Sequence, residues 1–191
     1  MNNFDRSAAL LVIDVQSGLD DPVWGKRNNP DAEANIARLL DAWRRTGRPL
    51  FHIKHDSINP HSPLHPDFPG NEIKNVVRPQ ENEPLIRKSV NSAFIGTDLE
   101  EQLRNAGVQT LVLTGLTTNQ CVETTARMAG NLGFDTHFVA DATAAFELAG
   151  PDGQYHSADE VYSMTLANLN GEFATIVVTD DVLEQLSVTN D

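Results

Sequence analysis

The chain of 191 residues holds one cysteine, two tryptophans and two tyrosines. A single thiol excludes an internal disulfide framework and fits a reducing compartment such as the cytoplasm. Basic residues are scarce: 14 Lys and Arg stand against 27 Asp and Glu, for a formal net charge of −13. Phosphate binding needs clustered Lys and Arg, and Arg44-Arg45 is an isolated pair. Nucleic acid and anionic membrane surfaces are therefore not expected as partners. No apolar run is long enough to span a membrane. The start, Met-Asn-Asn-Phe-Asp-Arg, lacks the basic and apolar segments of a signal peptide, so secretion is not expected. The phosphate-cradling Gly-x-Gly-x-x-Gly and Walker patterns are missing, as is the Gly-x-Ser-x-Gly elbow. This argues against dinucleotide, ATP and serine-elbow chemistry.

What is present is an alternation of β-prone and helical runs. Ala8–Ile13, Arg48–Ile53, Val108–Thr114, Phe134–Ala140 and Phe173–Val178 read as short, buried strands. Helical spacing fills Asp31–Thr46, stopping at Gly47, and recurs at Asp98–Asn105, Gln120–Leu132 and Ser157–Leu169, with a short terminal helix from Asp180. Thr97 with Glu100, and Ser157 with Glu160, stand in capping-box register. Strands separated by helices predict an α/β fold, a parallel sheet covered on both faces. The length suits one domain over 1–191. Residues 56–83, rich in Pro, Asn, Ser and His, form a long loop of the kind that lines a binding site.

Two reactive side chains fall at the carboxyl ends of strands, where open α/β sheets bind ligands. Asp14 ends the first, and Cys121 follows the third at a strand-to-helix turn. A lone cysteine can be a small buried hydrophobe. At a helix start it also meets unpaired N–H groups that can lower its pKa and hold an oxyanion. A carboxylate beside a thiol can take its proton if a cation offsets the added charge. Lys88 is a candidate cation, but spacing does not select it over Arg87. His52, His55, His61 and His65, with Asp56, form a cluster that could hold Zn or Fe, although no pair has the helical i, i+4 spacing. Trp24 can wall a pocket or simply pack, and so can Phe94 and Phe146. Gln16 and Asn119 can bond a substrate or hold the nucleophile turn.

Three segments together resemble the isochorismatase-like cysteine hydrolases, the superfamily that includes nicotinamidases and N-carbamoylsarcosine amidase. They are Leu11-Val-Ile-Asp14-Val-Gln16, Arg87-Lys88-Ser-Val-Asn-Ser-Ala-Phe94 and Thr114-Gly-Leu-Thr117-Thr-Asn-Gln-Cys121-Val122. The resemblance implies a three-layer αβα, Rossmann-type fold around a six-stranded parallel sheet. It also implies an Asp14-Lys88-Cys121 triad, a cis peptide from Leu116 to Thr117, and an oxyanion hole from the N–H groups of Thr117 and Cys121. A homo-oligomer, dimer or tetramer, and a small-molecule substrate follow from it as well. Nicotinamidases hold a metal through Asp-x-His, whereas here the order is His55-Asp56, which resembles a metal-free branch with no cofactor. True isochorismatases cleave a vinyl ether and lack the cysteine. Cys121 thus favours amide, carbamoyl or ureido hydrolysis over two alternatives: vinyl ether hydrolysis with Asp14 as general acid, and a non-catalytic binding or scaffold protein.

Overall fold

Strand β1 (Ala9–Ile13) arises from a continuous branched run, and all five of its residues are buried. Such a run needs apolar cover on both faces. Leu10 and Val12 face one core layer with Ile36, Leu39, Trp43, Val182 and Leu186. Ala9, Leu11 and Ile13 face the other, with Leu99, Leu103, Ala126 and Leu169. The period of two along the strand therefore feeds two separate cores. Truncating Leu10 or Leu11 to alanine would cost about 2–5 kcal/mol.

Helix α1 (Ala32–Thr46) turns its apolar stripe inward and ends at Gly47, which is left-handed at φ 64°. β2 (Leu50–His55), β3 (Leu85–Lys88), α2 (Leu99–Asn105) and β4 (Thr110–Leu116) follow. Next come α3 (Glu123–Asn131), β5 (Asp135–Ala144) and a hairpin of β6 (Leu148–Ala149) and β7 (Tyr155–His156). α4 (Ala158–Leu169), β8 (Thr175–Val177) and α5 (Thr179–Ser187) complete the chain. The computed structural model describes residues 4–187, so residues 1–3 and 188–191 of the expected 1–191 domain lie outside the described ones.

The main sheet has the order β3-β2-β1-β4-β5-β8, and every adjacent pair is parallel. The six-stranded α/β architecture is thus as expected. Helices α1 and α5 cover one face, and α2, α3 and α4 the other. Strand order reverses between β1 and β4, the topological switch point where such sheets bind ligands. Among the described residues, no helix is long and apolar enough to cross a membrane.

Some local features depart from the sequence reading. β5 extends to Ala144, pairing Gly115 with Thr143 across a register shift in β4. The capping box of Ser157 and Glu160 forms. At α2 the N-cap is Asp98 rather than Thr97; the Thr97 hydroxyl donates to Ala93 O at 2.6 Å instead. The loop over 56–83 is tied down along its length. Asn71 Nδ2 donates to Leu64 O at 2.7 Å, Lys74 Nζ meets Asp20 at 2.6 Å and Glu33 at 2.7 Å, and Glu83 pairs with Arg44 at 2.7 Å.

Candidate active site

Three strand ends deliver three reactive groups to the switch point. Asp14 follows β1 in the left-handed region, at φ 53°, a conformation Asp tolerates better than most residues. Its N–H donates to Ile53 O at 2.9 Å, which fixes it against β2. In β3 the pleat alternates, exposing Leu85 and Arg87 and burying Ile86 and Lys88. Lys88 therefore points into the site, while Arg87 points out to pair with Asp56 at 2.6 Å. After β4 a cis peptide joins Leu116 to Thr117. A π-helical turn, Thr118–Val122, then leads straight into α3. Thr117 O accepts from both Gln120 N and Val122 N, at 3.2 and 3.3 Å. Cys121 sits inside that turn, one residue before its end.

Gly115 makes this approach of β4 to β1 possible. Its φ is +126°, and a Cβ there would collide with the carbonyl oxygen of Ile13 and lie 2.7 Å from that residue's nitrogen and carbonyl carbon. No other residue type fits beside the strand that carries Asp14.

The electrostatics centre on a buried ion pair. Lys88 Nζ donates to Asp14 Oδ2 at 2.5 Å, with the two side chains 0% and 2% exposed. Asp14 Oδ1 is buried with no hydrogen-bond partner among the described residues. An Asp14 carboxylate oxygen, Cys121 Sγ and a ring nitrogen of His55 all lie within 4.8 Å of one another. Burial pushes the Asp14 carboxyl above its ordinary range, against the pull of Lys88. Burial, reinforced by the charge of Asp14, pushes the Cys121 thiol up to about 12. This corrects the expectation of a lowered thiol: burial strips water from Cys121, and the Asp14 charge beside it disfavours a second anion. Cys121 therefore keeps its proton at neutral pH, beside the Asp14 carboxyl group.

A cavity of about 330 Å³ opens on Asp14 and Cys121. Trp24 and Phe146 form one wall, their ring centroids 6.3 Å apart, and Trp24 Nε1 donates to Gly18 O at 2.8 Å. Asn119, Leu116 and Thr117 also line it. Two residues expected near substrate do not. Gln16 is fully buried behind the site, its side chain accepting from His55 N at 2.8 Å and donating to His55 O and Asn71 O at 2.9 Å. It holds β2 and the long loop in place. Phe94, partly buried, stacks on Phe134 at 6.0 Å against the core on the α2–α3 face. Sequence reasoning missed Leu19, Ser57, Asn59 and Asn91 as lining residues. Ser57 and Asn59 belong to the loop singled out for binding, but nothing local distinguishes them from their neighbours.

The histidines diverge. His52 turns away, its Nε2 2.8 Å from Glu83, and His65 meets Phe68 edge-on near the surface, 6.0 Å between ring centroids. Among the described residues, the group able to meet at one metal ion is Asp14, His55 and Cys121. Lys88 Nζ lies 2.5 Å from Asp14 and 3.1 Å from His55 Nδ1. An ammonium thus supplies the positive charge there, and a divalent cation would have to displace it or sit against it. These residues do not fit a metal.

Comparison with known proteins agrees with this architecture. Residues 8–181 match the isochorismatase domain. The isochorismatase family protein YrdC of Bacillus subtilis is 46% identical over 186 residues, spanning 97% of this chain and 100% of that one. Nicotinamidase 3 of Arabidopsis thaliana is 32% identical, spanning 95% and 89%. An isochorismatase-family structure from Chromobacterium violaceum superimposes with a TM-score of 0.95 at 45% identity, covering 98% of this chain and 97% of that one. The chain belongs to the isochorismatase family of hydrolases, within the isochorismatase-like cysteine hydrolases.

Proposed function

We propose that this hydrolase is a metal-independent cysteine amidohydrolase acting on a small, uncharged amide, carbamoyl or ureido compound. The observation that carries this reading is the buried Asp14 carboxylate, with one of its oxygens within 4.8 Å of Cys121 Sγ, Oδ2 bound to Lys88 and Oδ1 unpaired among the described residues. A thiol pushed up to about 12 does not ionise alone at neutral pH. It needs a base that takes the proton as the sulfur attacks.

Asp14 Oδ1 takes the Cys121 proton while Sγ bonds the substrate carbonyl carbon. The carbonyl oxygen becomes an oxyanion facing the N–H groups of Thr117 and Cys121. As that oxyanion collapses, the C–N bond breaks and the leaving nitrogen takes the proton from Asp14. Water then gives a proton to Asp14 and adds to the thioester. The C–S bond breaks, and the proton returns to sulfur. Lys88 keeps its positive charge throughout and offsets the negative charge that moves between carboxylate, sulfur and oxygen.

The cavity supports the uncharged substrate class. Among the described lining residues Asp14 is the sole acid, and none is Lys or Arg. An anionic vinyl ether would find no counter-charge beyond Lys88, which is already paired. The test is ammonia or amine release from a panel of neutral amides, carbamates and ureas. Native protein should turn over at least one class. Cys121→Ala and Asp14→Asn should lose roughly a thousandfold or more, as removing a member of a nucleophile–base unit does. Turnover retained in Cys121→Ala would remove the thioester route and leave Asp14 acting alone.

A further inference from the structure

His55 ends β2 and lines the cavity, yet the triad chemistry gives it no task. Its backbone is held to an unusual degree. The buried Gln16 side chain accepts from His55 N at 2.8 Å and donates to His55 O at 2.9 Å. Asn71 Nδ2 adds a second bond to the same carbonyl at 3.0 Å. Two buried amides, one from the segment after β1 and one from the long loop, thus fix one residue. Its ring nitrogen Nδ1 lies 3.1 Å from Lys88 Nζ.

An ammonium carries donors only, so Nδ1 must be the acceptor and the ring proton must sit on Nε2. The ring also bonds the backbone of Val90, which suits a donating Nε2–H. Among the described residues, the side-chain partners of Lys88 are Asp14, His55 and the Cys121 thiol. We propose that His55 is a positioning residue that holds the Lys88 ammonium in place when Asp14 is neutralised by the thiol proton. At that moment Lys88 loses its anionic partner while its side chain remains wholly buried. A buried ammonium that has lost its carboxylate partner is costly unless a fixed acceptor still holds it. A neutral imidazole acceptor keeps it facing the charge that has moved to sulfur.

The groups facing the imidazole are Lys88, Asp14, Asp56 and the Cys121 thiol. Burial and the nearby ammonium hold its pKa below that of an ordinary imidazole. The ring therefore stays neutral at physiological pH, as an acceptor must.

This inference rests on the Asp14-Lys88-Cys121 reading, so its test does not require a substrate. Cys121 is the single thiol, and its alkylation by iodoacetamide can be followed by intact mass on the full chain at pH 7. His55→Asn places an amide oxygen close to the Nδ1 position and should label within about threefold of native. His55→Ala removes the acceptor and should label at least tenfold more slowly, although it widens the cavity. Simple steric access predicts the opposite order, with the alanine variant faster. His55→Gln, whose amide reaches past the Nδ1 position, replaces His55→Ala if that variant fails to fold by circular dichroism. Equal rates in native and His55→Ala, or a His55→Asn as slow as His55→Ala, would overturn the proposal. The expected labelling pattern in a protein that cleaves no amide would uphold the positioning role and overturn the amidase reading. With a cleaved amide in hand, kcat should fall in His55→Ala while KM holds.

Discussion

Replacing Lys88 with methionine keeps the length of the side chain and removes its charge. The consequence can be worked from the ion pair. Asp14 and Lys88 are 2.5 Å apart, with side chains 2% and 0% exposed. Removing one partner of such a pair leaves an uncompensated buried charge, at a cost of about 3–5 kcal/mol. The cost must depend on pH. Without Lys88, the strongest influence opposing burial at Asp14 is gone, and the folded pKa rises further above the unfolded value of about 3.9. A group with a raised folded pKa keeps its stability contribution below the unfolded pKa and loses it as pH rises through the folded one. Each pH unit inside that window costs about 1.4 kcal/mol. Lys88→Met should therefore lie within about 1–2 kcal/mol of native near pH 4.5 and fall to the full penalty by pH 7. Urea unfolding at both pH values, followed by the fluorescence of Trp24 and Trp43, measures this directly. Adding Asp14→Asn to Lys88→Met should recover most of the loss at pH 7, because no charge then remains unpaired. A penalty that is the same at both pH values, or below about 1 kcal/mol at pH 7, would refute the account of Asp14 as a buried carboxylate sustained by Lys88.

Three further outcomes follow from the geometry. Cys121 in the native protein should react with iodoacetamide at pH 8 more slowly than free glutathione, because its thiol is pushed up to about 12; faster reaction would show a preformed thiolate. Gly115→Ala forces a Cβ into the backbone of Ile13 at a φ of +126° and should destabilise by about 2–4 kcal/mol in denaturant melts, whereas a change below about 0.5 kcal/mol would mean that β1 and β4 can separate freely. Trp24→Ala removes one wall of the cavity and the bond to Gly18 O. It should raise KM about tenfold or more for an amide with a flat apolar body and leave small aliphatic amides nearly unaffected, so equal effects on both would assign Trp24 to packing alone.

The strands of the sheet centre were legible because burial on both faces leaves a continuous apolar run, as in Ala9–Ile13. Asp14 was legible because it ends such a run, and Cys121 because it stands in the turn between one such strand and the next helix. The choice of Lys88 over Arg87 was not made by spacing, yet the signal was present. Ile86 and Lys88 share a face by the period of two, and an apolar residue marks that face as the inner one. The thiol pKa was misread because a helix terminus was weighed without the cavity that buries it. The roles of Gln16 and Phe94 stayed open between substrate contact and structural support because a polar or aromatic residue near a motif does not reveal which way its side chain turns. That depends on partners such as Asn71 and Phe134, 55 and 40 residues away in sequence. The hairpin of Leu148–Ala149 and Tyr155–His156 has strands of two exposed residues each, too short to leave a periodic trace.

The anchored loop over 56–83 divides the labour of the site. Gly18 packs against this segment so closely that a Cβ on it would lie 2.8 Å from both Gly70 O and Pro63 O. With Asn71, Lys74 and Glu83 also tied down, the segment is a fixed wall rather than a moving lid. Its first turns are braced by their own side chains: Ser57 Oγ accepts from Asn59 N at 3.2 Å and Asn59 Oδ1 from His61 N at 3.0 Å. The groups proposed to break bonds, Asp14, Lys88 and Cys121, stand on strand ends and the turn after β4, whereas Ser57, Asn59 and Ser62 stand on this separate rim. Exchanging rim residues would alter which compound is recognised and leave the chemistry untouched. One catalytic floor could in this way serve a succession of substrates through changes confined to a few exposed turns.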